Sequence, residues 1–576
     1  NKSQAMRILV IVFLLCSEML TAQVFPPAVY PKGYFRNPLA IPIDLSGNFG
    51  ELRPNHYHMG LDLKTKAREN QPVYAAADGY VARIKIEPAG FGRALYINHP
   101  NGYTTLYAHL NDFNPQLEAW VKEQQYKQQS WRIFLEPPAS LFPVKKGDFI
   151  AYSGNTGGSQ APHLHFEVRR SADDVNLNPL LFGLPLADNV PPRILRMGIY
   201  DRTKSIYEQS ARLFPAKATG GTKYTATPEL INVSSPSISF AIGAFDTHTG
   251  STNLNGIFES ILYVDEQPVA AFQMDNISYN DTRYLNAHID YRTKAGGGPW
   301  LQQLFDLPGY INSIYRNIKN NGVVDLSDGA IHTVRIEVKD TYLNTSTLYC
   351  RVQYKPGAAS ATTTPSADNP MFYPLMLDGF EKENCEFFIG ERCLYDSVHI
   401  RYARAATANP QAVSALHSIG ASYIPLQEAF LVRVQPVKLL TPEQQQRTIM
   451  QWTSGAKKDV QKVEWQNNWA SARFRDFGSY MLLVDQEPPS IVPIGFTDGA
   501  DLSKATRIAF TVNDNNNKFK NVKPMLDGKW LRFTNDKGRT FIYRFDEQCP
   551  PGKHDLTIYA EDEAGNATTK TFTFTR

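Results

Sequence analysis

Cysteine is scarce, five in 576 residues, and no Cys-x-x-Cys pair occurs, which excludes a thiol redox motif and a zinc site built from cysteine. An excess of one charge is also missing. Lys+Arg 59 against Asp+Glu 56 leaves +3, and with 20% charged residues no footprint for nucleic acid or an anionic membrane surface stands out. Gly 37 and Pro 38 are near average usage, so neither collagen nor a low-complexity polymer fits. There is no HExxH, hence no helix-borne glutamate base beside a pair of histidines. Long apolar runs are lacking too: Ile8 to Cys16 spans nine residues, too few to cross a hydrocarbon layer of ~30 Å. What is there is 42% hydrophobic residues, 12% of the chain being aromatic, enough for several cores. At roughly 150 residues per domain the length suggests about four domains.

Lys2, Met6-Arg7, the run Ile8 to Cys16 and the small residue Ala22 read as a secretory signal over residues 1–22, cleaved after Ala22 and leaving no integral membrane segment. Lipidation of Cys16 is the alternative, opposed by the large Leu14-Leu15 before it. The expected location is therefore the periplasm or cell surface of a bacterium. Of the later cysteines, Cys350, Cys385, Cys393 and Cys549, an oxidising compartment favours a bridge between Cys385 and Cys393 around the turn-like Ile389-Gly390-Glu391.

After an N-terminal extension, 23–50, residues 51–185 alternate in short strands with glycine-bearing turns, as in Gly79 to Ile86 and Tyr103 to Tyr107, an antiparallel and mostly β pattern. Six of the twelve histidines fall within it. Within it, Asn114-Pro115 caps an expected helix in the insertion 111–143, with Leu117, Trp120, Val121 and Gln124 on one face. An internal repeat follows. His332 to Asp340, then Asn344, matches His554 to Asp562, then Asn566, at an offset of 222, and Asp188-Asn189-Val190-Pro191-Pro192 matches Asp485-Gln486-Glu487-Pro488-Pro489. This predicts two β-sandwich modules, 188–356 and 487–576, and the strand closing on Asp-x-x-x-Asn resembles bacterial immunoglobulin-like modules of surface proteins. Residues 357–370 read as a linker, and 371–486 as a β-rich module with a short helix begun by Thr441-Pro442-Glu443.

Two segments carry the chemistry. In His163-Leu164-His165-Phe166-Glu167-Val168 alternation puts His163, His165 and Glu167 on one strand face, and in His58-Met59-Gly60-Leu61-Asp62-Leu63 it puts His58, Gly60 and Asp62 together, the apolar residues of both turning to the core. His58, Asp62 and His165 offer two imidazoles and one carboxylate, a donor set suited to a catalytic zinc ion. His163, beside them, is free for proton transfer, and His109 ends another strand. Spacing alone leaves open whether His56 pairs with His58 as a ligand instead. His99, in a turn, reads as structural.

Several blocks in order are similar to lysostaphin/LytM-type zinc endopeptidases, which cleave peptide bonds in bacterial murein: His58 to Asp62, Gly90-Phe91-Gly92, Tyr107-Ala108-His109-Leu110, Val144 to Asp148, Ser153 to Gly157 and His163 to Glu167. The resemblance implies that His58, Asp62 and His165 hold one Zn²⁺, that His109 and His163 are the catalytic histidines, and that His56 is a neighbour. It implies metal-assisted hydrolysis of peptidoglycan peptide stems. The insertion 111–143 departs from the family spacing and is either a lid over the groove or a helix packed on the flank. Two other readings stay open: a non-catalytic wall-binding activator, and a surface scaffold meeting envelope protein partners through its β-sandwich modules.

Overall fold

The computed structural model of the chain describes residues 24–26, 29–311, 314–317, 319–357 and 369–576. The expected signal segment 1–22 and nearly all of the linker 357–370 lie outside them. Among the described residues strands predominate over helices, and no helix is long and apolar enough to cross a membrane.

Seven strands form the spine of the sheet that matters for function: β1 (Leu45–Gly47), β2 (Leu61–Lys64), β3 (Gly79–Ile86), β4 (Arg93–Asn98), β5 (Tyr103–Ala108), β6 (Ile133–Leu135) and β7 (His163–Arg170). Their spatial order is β1-β2-β7-β5-β4-β3-β6, each pair antiparallel. Alternation in β7 turns Leu164, Phe166 and Val168 into a core shared with Leu61, Leu63, Ile84, Leu95 and Tyr107. Fully burying such side chains stabilises by about 1.5–3 kcal/mol each, which fixes the register of β7 against its neighbours. Met59 departs from the expected pattern. It joins Phe49, Tyr57 and Ile277 in the core of the following sheet, because the chain is not a strand at residues 58–60.

The insertion contains α1 (Pro115–Gln128), begun by Asn114, whose side chain accepts the Leu117 N–H, with Pro115 in the first turn. Leu117, Val121 and Gln125 are buried, one residue displaced from the expected Gln124.

Residues 193–354 build an eleven-stranded sheet around its own core, in which Lys223–Val233 and Thr345–Tyr354 run parallel. Two five-stranded sheets from 378–484 follow, then a three- and a five-stranded sheet enclosing a core from 491 to 574. The short helix Pro442–Gln446 has the expected Thr441 cap, completed as a capping box by Gln444. The repeat is reproduced as wiring. Asn344 and Asn566 each donate their Nδ2 to Asp340 and Asp562, and Ser346 and Thr568 each donate to the carbonyl of Pro192 and Pro489, at 2.6 Å in both cases.

The expected bridge between Cys385 and Cys393 is not formed. Both are free thiols, as are Cys350 and Cys549. Cys385 faces inward from a strand, Cys393 sits in a turn closed on the Gly390 carbonyl, and each packs as a small apolar side chain in the same core.

His288 is fully buried between Tyr315 Oη, 2.7 Å, and Gln302 Oε1, 3.0 Å, and burial pushes its imidazole down to about 4. A histidine kept neutral in the fold but free to protonate once unfolded leaves stability intact above pH 6.5 and drains it as pH falls toward 4. That loss is on the order of 3 kcal/mol. His288→Gln should flatten the fall of unfolding temperature between pH 6.5 and 4.5, as read by calorimetry.

Candidate metal centre and active site

Register builds the site. His165 on β7 lies directly opposite Asp62 on β2 on one side and Ala108 on β5 on the other, so the residue after Ala108, His109, reaches the same space. His58 arrives from the irregular segment before β2, held by its N–H on the Glu51 carbonyl and by its own carbonyl, which accepts the Gly50 N–H. His58 Nε2, Asp62 Oδ1 and His165 Nδ1 stand 2.9, 2.9 and 3.1 Å apart pairwise, and all three residues are buried.

The outer atoms of these groups are all occupied. His58 Nδ1 is 2.8 Å from the Asn48 carbonyl, His165 Nε2 is 2.9 Å from Glu167 Oε1, and Arg53 Nη2 donates to Asp62 Oδ2 at 2.9 Å. The bonds to Asn48 and Glu167 place the protons on the far nitrogens and leave His58 Nε2 and His165 Nδ1 with inward lone pairs. Two neutral imidazole nitrogens and a carboxylate oxygen converging on one point suit a divalent metal ion such as zinc. Against burial, hydrogen bonds to Asp62 and Glu167 raise His165 to about 9, so an ion held between these groups takes the place of its inward proton. Against the cost of burial, His58, His163 and His165 hold Asp62 well below the carboxylate range, and Arg169 with His165 takes Glu167 down to about 2.

His163 and His109 flank the trio, their rings 4.8 Å apart, with His109 5.9 Å from His165. His163 Nδ1 is 2.8 Å from the Ala161 carbonyl and its Nε2 3.3 Å from Asp62 Oδ1. His109 Nδ1 is 2.9 Å from the Thr156 carbonyl. Its φ of +58°, rare outside glycine, turns the ring off the strand. Burial, then His165 and His163, push His109 down to about 3. All five histidine and aspartate positions expected from the sequence therefore meet. His56 does not: it is exposed, with Nδ1 on the Pro54 carbonyl. His99 is the structural histidine expected, bonded to the Asp78 carbonyl and Thr105 Oγ1. Asn48 and Arg53 carried no sequence signal; Glu167 shares the face of His163 and His165, which is the signal for it.

Distant parts of the chain wall the site. Phe91 stacks near His165 at 5.7 Å and Tyr279 near Phe91 at 6.2 Å. From the C-terminal end, the Asp536 carbonyl accepts the Gly157 N–H, and Lys537 Nζ donates to the carbonyls of Gly157 and Ser159. The outer side of α1 meets the same region: Lys122 pairs with Asp546 and Glu547, and Tyr126 packs on Trp530 at 5.3 Å. The helix is thus packed on the flank between two parts of the chain.

Arg93 is the buried hub of that contact, 3.3 Å from Asp536 and 3.8 Å from Glu118, at 5% exposure. Its partners are partly solvated, so Arg93→Met should cost about 2 kcal/mol, less than for a fully buried pair. Urea unfolding, with Asp536→Asn and the double variant, would check this as a coupling energy.

Residues 56–126 and 142–179 match peptidase family M23, and residues 375–485 match the Zu5-like domain. The unmatched stretch between the two M23 segments lies in the insertion, and the match bears out the resemblance read from the sequence. Among particular proteins, the chain is 34% identical over 163 residues to an uncharacterized metalloprotease of Haemophilus influenzae, covering 27% of this chain and 28% of that one. It is 35% identical over 128 residues to the DD-carboxypeptidase/endopeptidase Mpg of Neisseria meningitidis serogroup B, covering 22% and 23%. The peptidoglycan DD-endopeptidase ShyA of Vibrio cholerae is 30% identical over 141 residues, covering 24% and 26%. The chain thus spans about a quarter of the length of these curated relatives. The catalytic domain of lysostaphin from Staphylococcus simulans is 22% identical, with 23% of this chain and 87% of that one covered and a TM-score of 0.18.

Proposed function

We propose that the chain is an exported zinc endopeptidase that hydrolyses peptide cross-links of bacterial peptidoglycan in the periplasm or at the cell surface. The observation that carries this reading is the convergence of His58 Nε2, Asp62 Oδ1 and His165 Nδ1 with every outer atom tied off, within a stretch that matches peptidase family M23. The similarity to ShyA, a peptidoglycan DD-endopeptidase, and to Mpg, a DD-carboxypeptidase/endopeptidase, supports the substrate class.

His58, Asp62 and His165 would hold a single zinc ion, which when bound supplies Lewis acidity toward a peptide carbonyl and toward water. The protein's own work is orientation and proton handling. Arg53 fixes Asp62, Asn48 and Glu167 fix the two imidazoles, and Gly60 lets the segment between His58 and Asp62 lie close against Phe166 and His165. His109 and His163 are each anchored through Nδ1 to a backbone carbonyl, so Nε2 of each is the atom that takes or gives a proton. Once Nε2 of either histidine has taken up a proton, that group can stabilise negative charge developing on the carbonyl oxygen. Phe91 and Tyr279 set an aromatic pair beside His165.

Metal analysis of the purified full chain, with mass spectrometry of its products from murein, tests the reading. It requires close to one zinc per chain and newly freed peptide ends; a chain that binds no zinc and leaves murein intact overturns it.

A further inference from the structure

At the seam between the β1–β7 sheet and the sheet of residues 193–354, three carboxylates crowd together. Oxygens of Asp188, Asp246 and Asp340 lie within 4.8 Å of one another, with Asp246 and Asp340 buried. Burial, then the other two carboxylates, push Asp246 up to about 8, and burial takes Asp340 to about 6. Asp246 Oδ1 is buried with no hydrogen-bond partner.

A fourth group stands apart from the acidic set. Asn255 is 5% exposed and its Oδ1 is likewise buried without a partner. Asp246 and Asn255 are direct antiparallel bridge partners, each N–H donating to the other's carbonyl at 2.9 and 2.8 Å. Residues opposed in this way carry their side chains on the same face. Asn255, Asp246 and Asp188 all border one small cavity of about 10 Å³, close to the space one water-sized sphere occupies.

We propose that Asp188, Asp246, Asp340 and the amide oxygen of Asn255 form a calcium site. The donors are all oxygens, the group carries excess negative charge out of water, and a hard cation with flexible coordination satisfies both conditions. His248, also at the cavity, has its Nε2 3.3 Å from both the Leu45 nitrogen and Asp44 Oδ1. The repeat supplies an internal contrast. Asp485, Asp514 and Asp562 cluster in the same way, but there Asn515 and Asn516 both donate side-chain amides to Asp485. Both triads take amide donors, Asp340 from Asn344 and Asp562 from Asn566, and Asp514 Oδ1 is buried without a partner as Asp246 Oδ1 is; the assignment to the first triad rests on the further unpartnered amide oxygen of Asn255.

The position gives the site a task. Asn48 borders the same cavity and exchanges two hydrogen bonds of 2.8 Å with Gly256, the residue after Asn255, while its carbonyl orients His58. Calcium would stiffen the seam on which that imidazole rests. The inference stands whether or not the chain cuts peptidoglycan.

The test is calcium titration of the full chain by calorimetry, with terbium luminescence sensitised through Tyr342, which lines the cavity. One calcium per chain is expected, with an unfolding temperature about 5 °C higher in about 5 mM calcium. Asp246→Asn should lose both responses and Asp514→Asn should keep them. Should Asp246→Asn fail to fold, the half-buried Asp188→Asn replaces it, with the same loss expected. No calcium response in the wild type, or an undiminished one in these triad variants, overturns the proposal.

Discussion

Replacing His165 by alanine is expected to strip the centre of zinc and to cut murein hydrolysis by about 10³-fold or more, while the fold survives. His165 is the pivot of the site: its Nδ1 faces both Asp62 Oδ1 and His58 Nε2, and its Nε2 is anchored by Glu167. Losing one of three ligands removes the ion, whereas losing the anchor only loosens it. Glu167→Gln should therefore keep part of the activity with metal affinity lowered about 10–100-fold. Zinc content after dialysis against graded chelator separates the two variants. Equal zinc retention by wild type and His165→Ala would remove this histidine from the ligand set.

Gly60→Ala is expected to be nearly as damaging, from the addition of one methyl group. A Cβ at Gly60 would lie 2.5 Å from the Phe166 carbonyl oxygen and 3.1 Å from His165 Cε1. The backbone of β7 cannot yield without moving His165, so the segment carrying His58 and Asp62 must shift instead. A displacement of about 1 Å at a reacting centre costs roughly 10²-fold in rate, and overpacking adds about 1–3 kcal/mol of destabilisation. The measurement is kcat/KM with thermal unfolding on the same sample; wild-type values in both would show that the strand has room.

Much of this centre was legible from period-two alternation alone, because β7 is a regular strand with one buried apolar face. That is why His163, His165 and Glu167 fall together. Alternation was a poorer guide around His58, where the chain leaves the strand between Tyr57 and Leu61 and Met59 turns into a different core. The disulfide expectation failed for a related reason. A spacing of eight around a turn says that two thiols are near in sequence, not that they face each other, and apolar packing claimed both. Asn48 and Arg53 were invisible because a backbone carbonyl and a single guanidinium acting through folded geometry leave no periodic mark. The contact between residues 157–159 and 536–537 joins segments almost 380 positions apart, and no local pattern encodes it.

Under the proposed function, that last contact stands where substrate must pass to reach the centre. The surroundings of the site are drawn from distant parts of the polypeptide, Tyr279 beside Phe91 and Lys537 beside the loop that leads into His163. A fragment cut down to residues 45–185 would keep the sheet and Asn48 but lose both Tyr279 and Lys537. Its selectivity among muropeptides would then be broader than that of the whole chain.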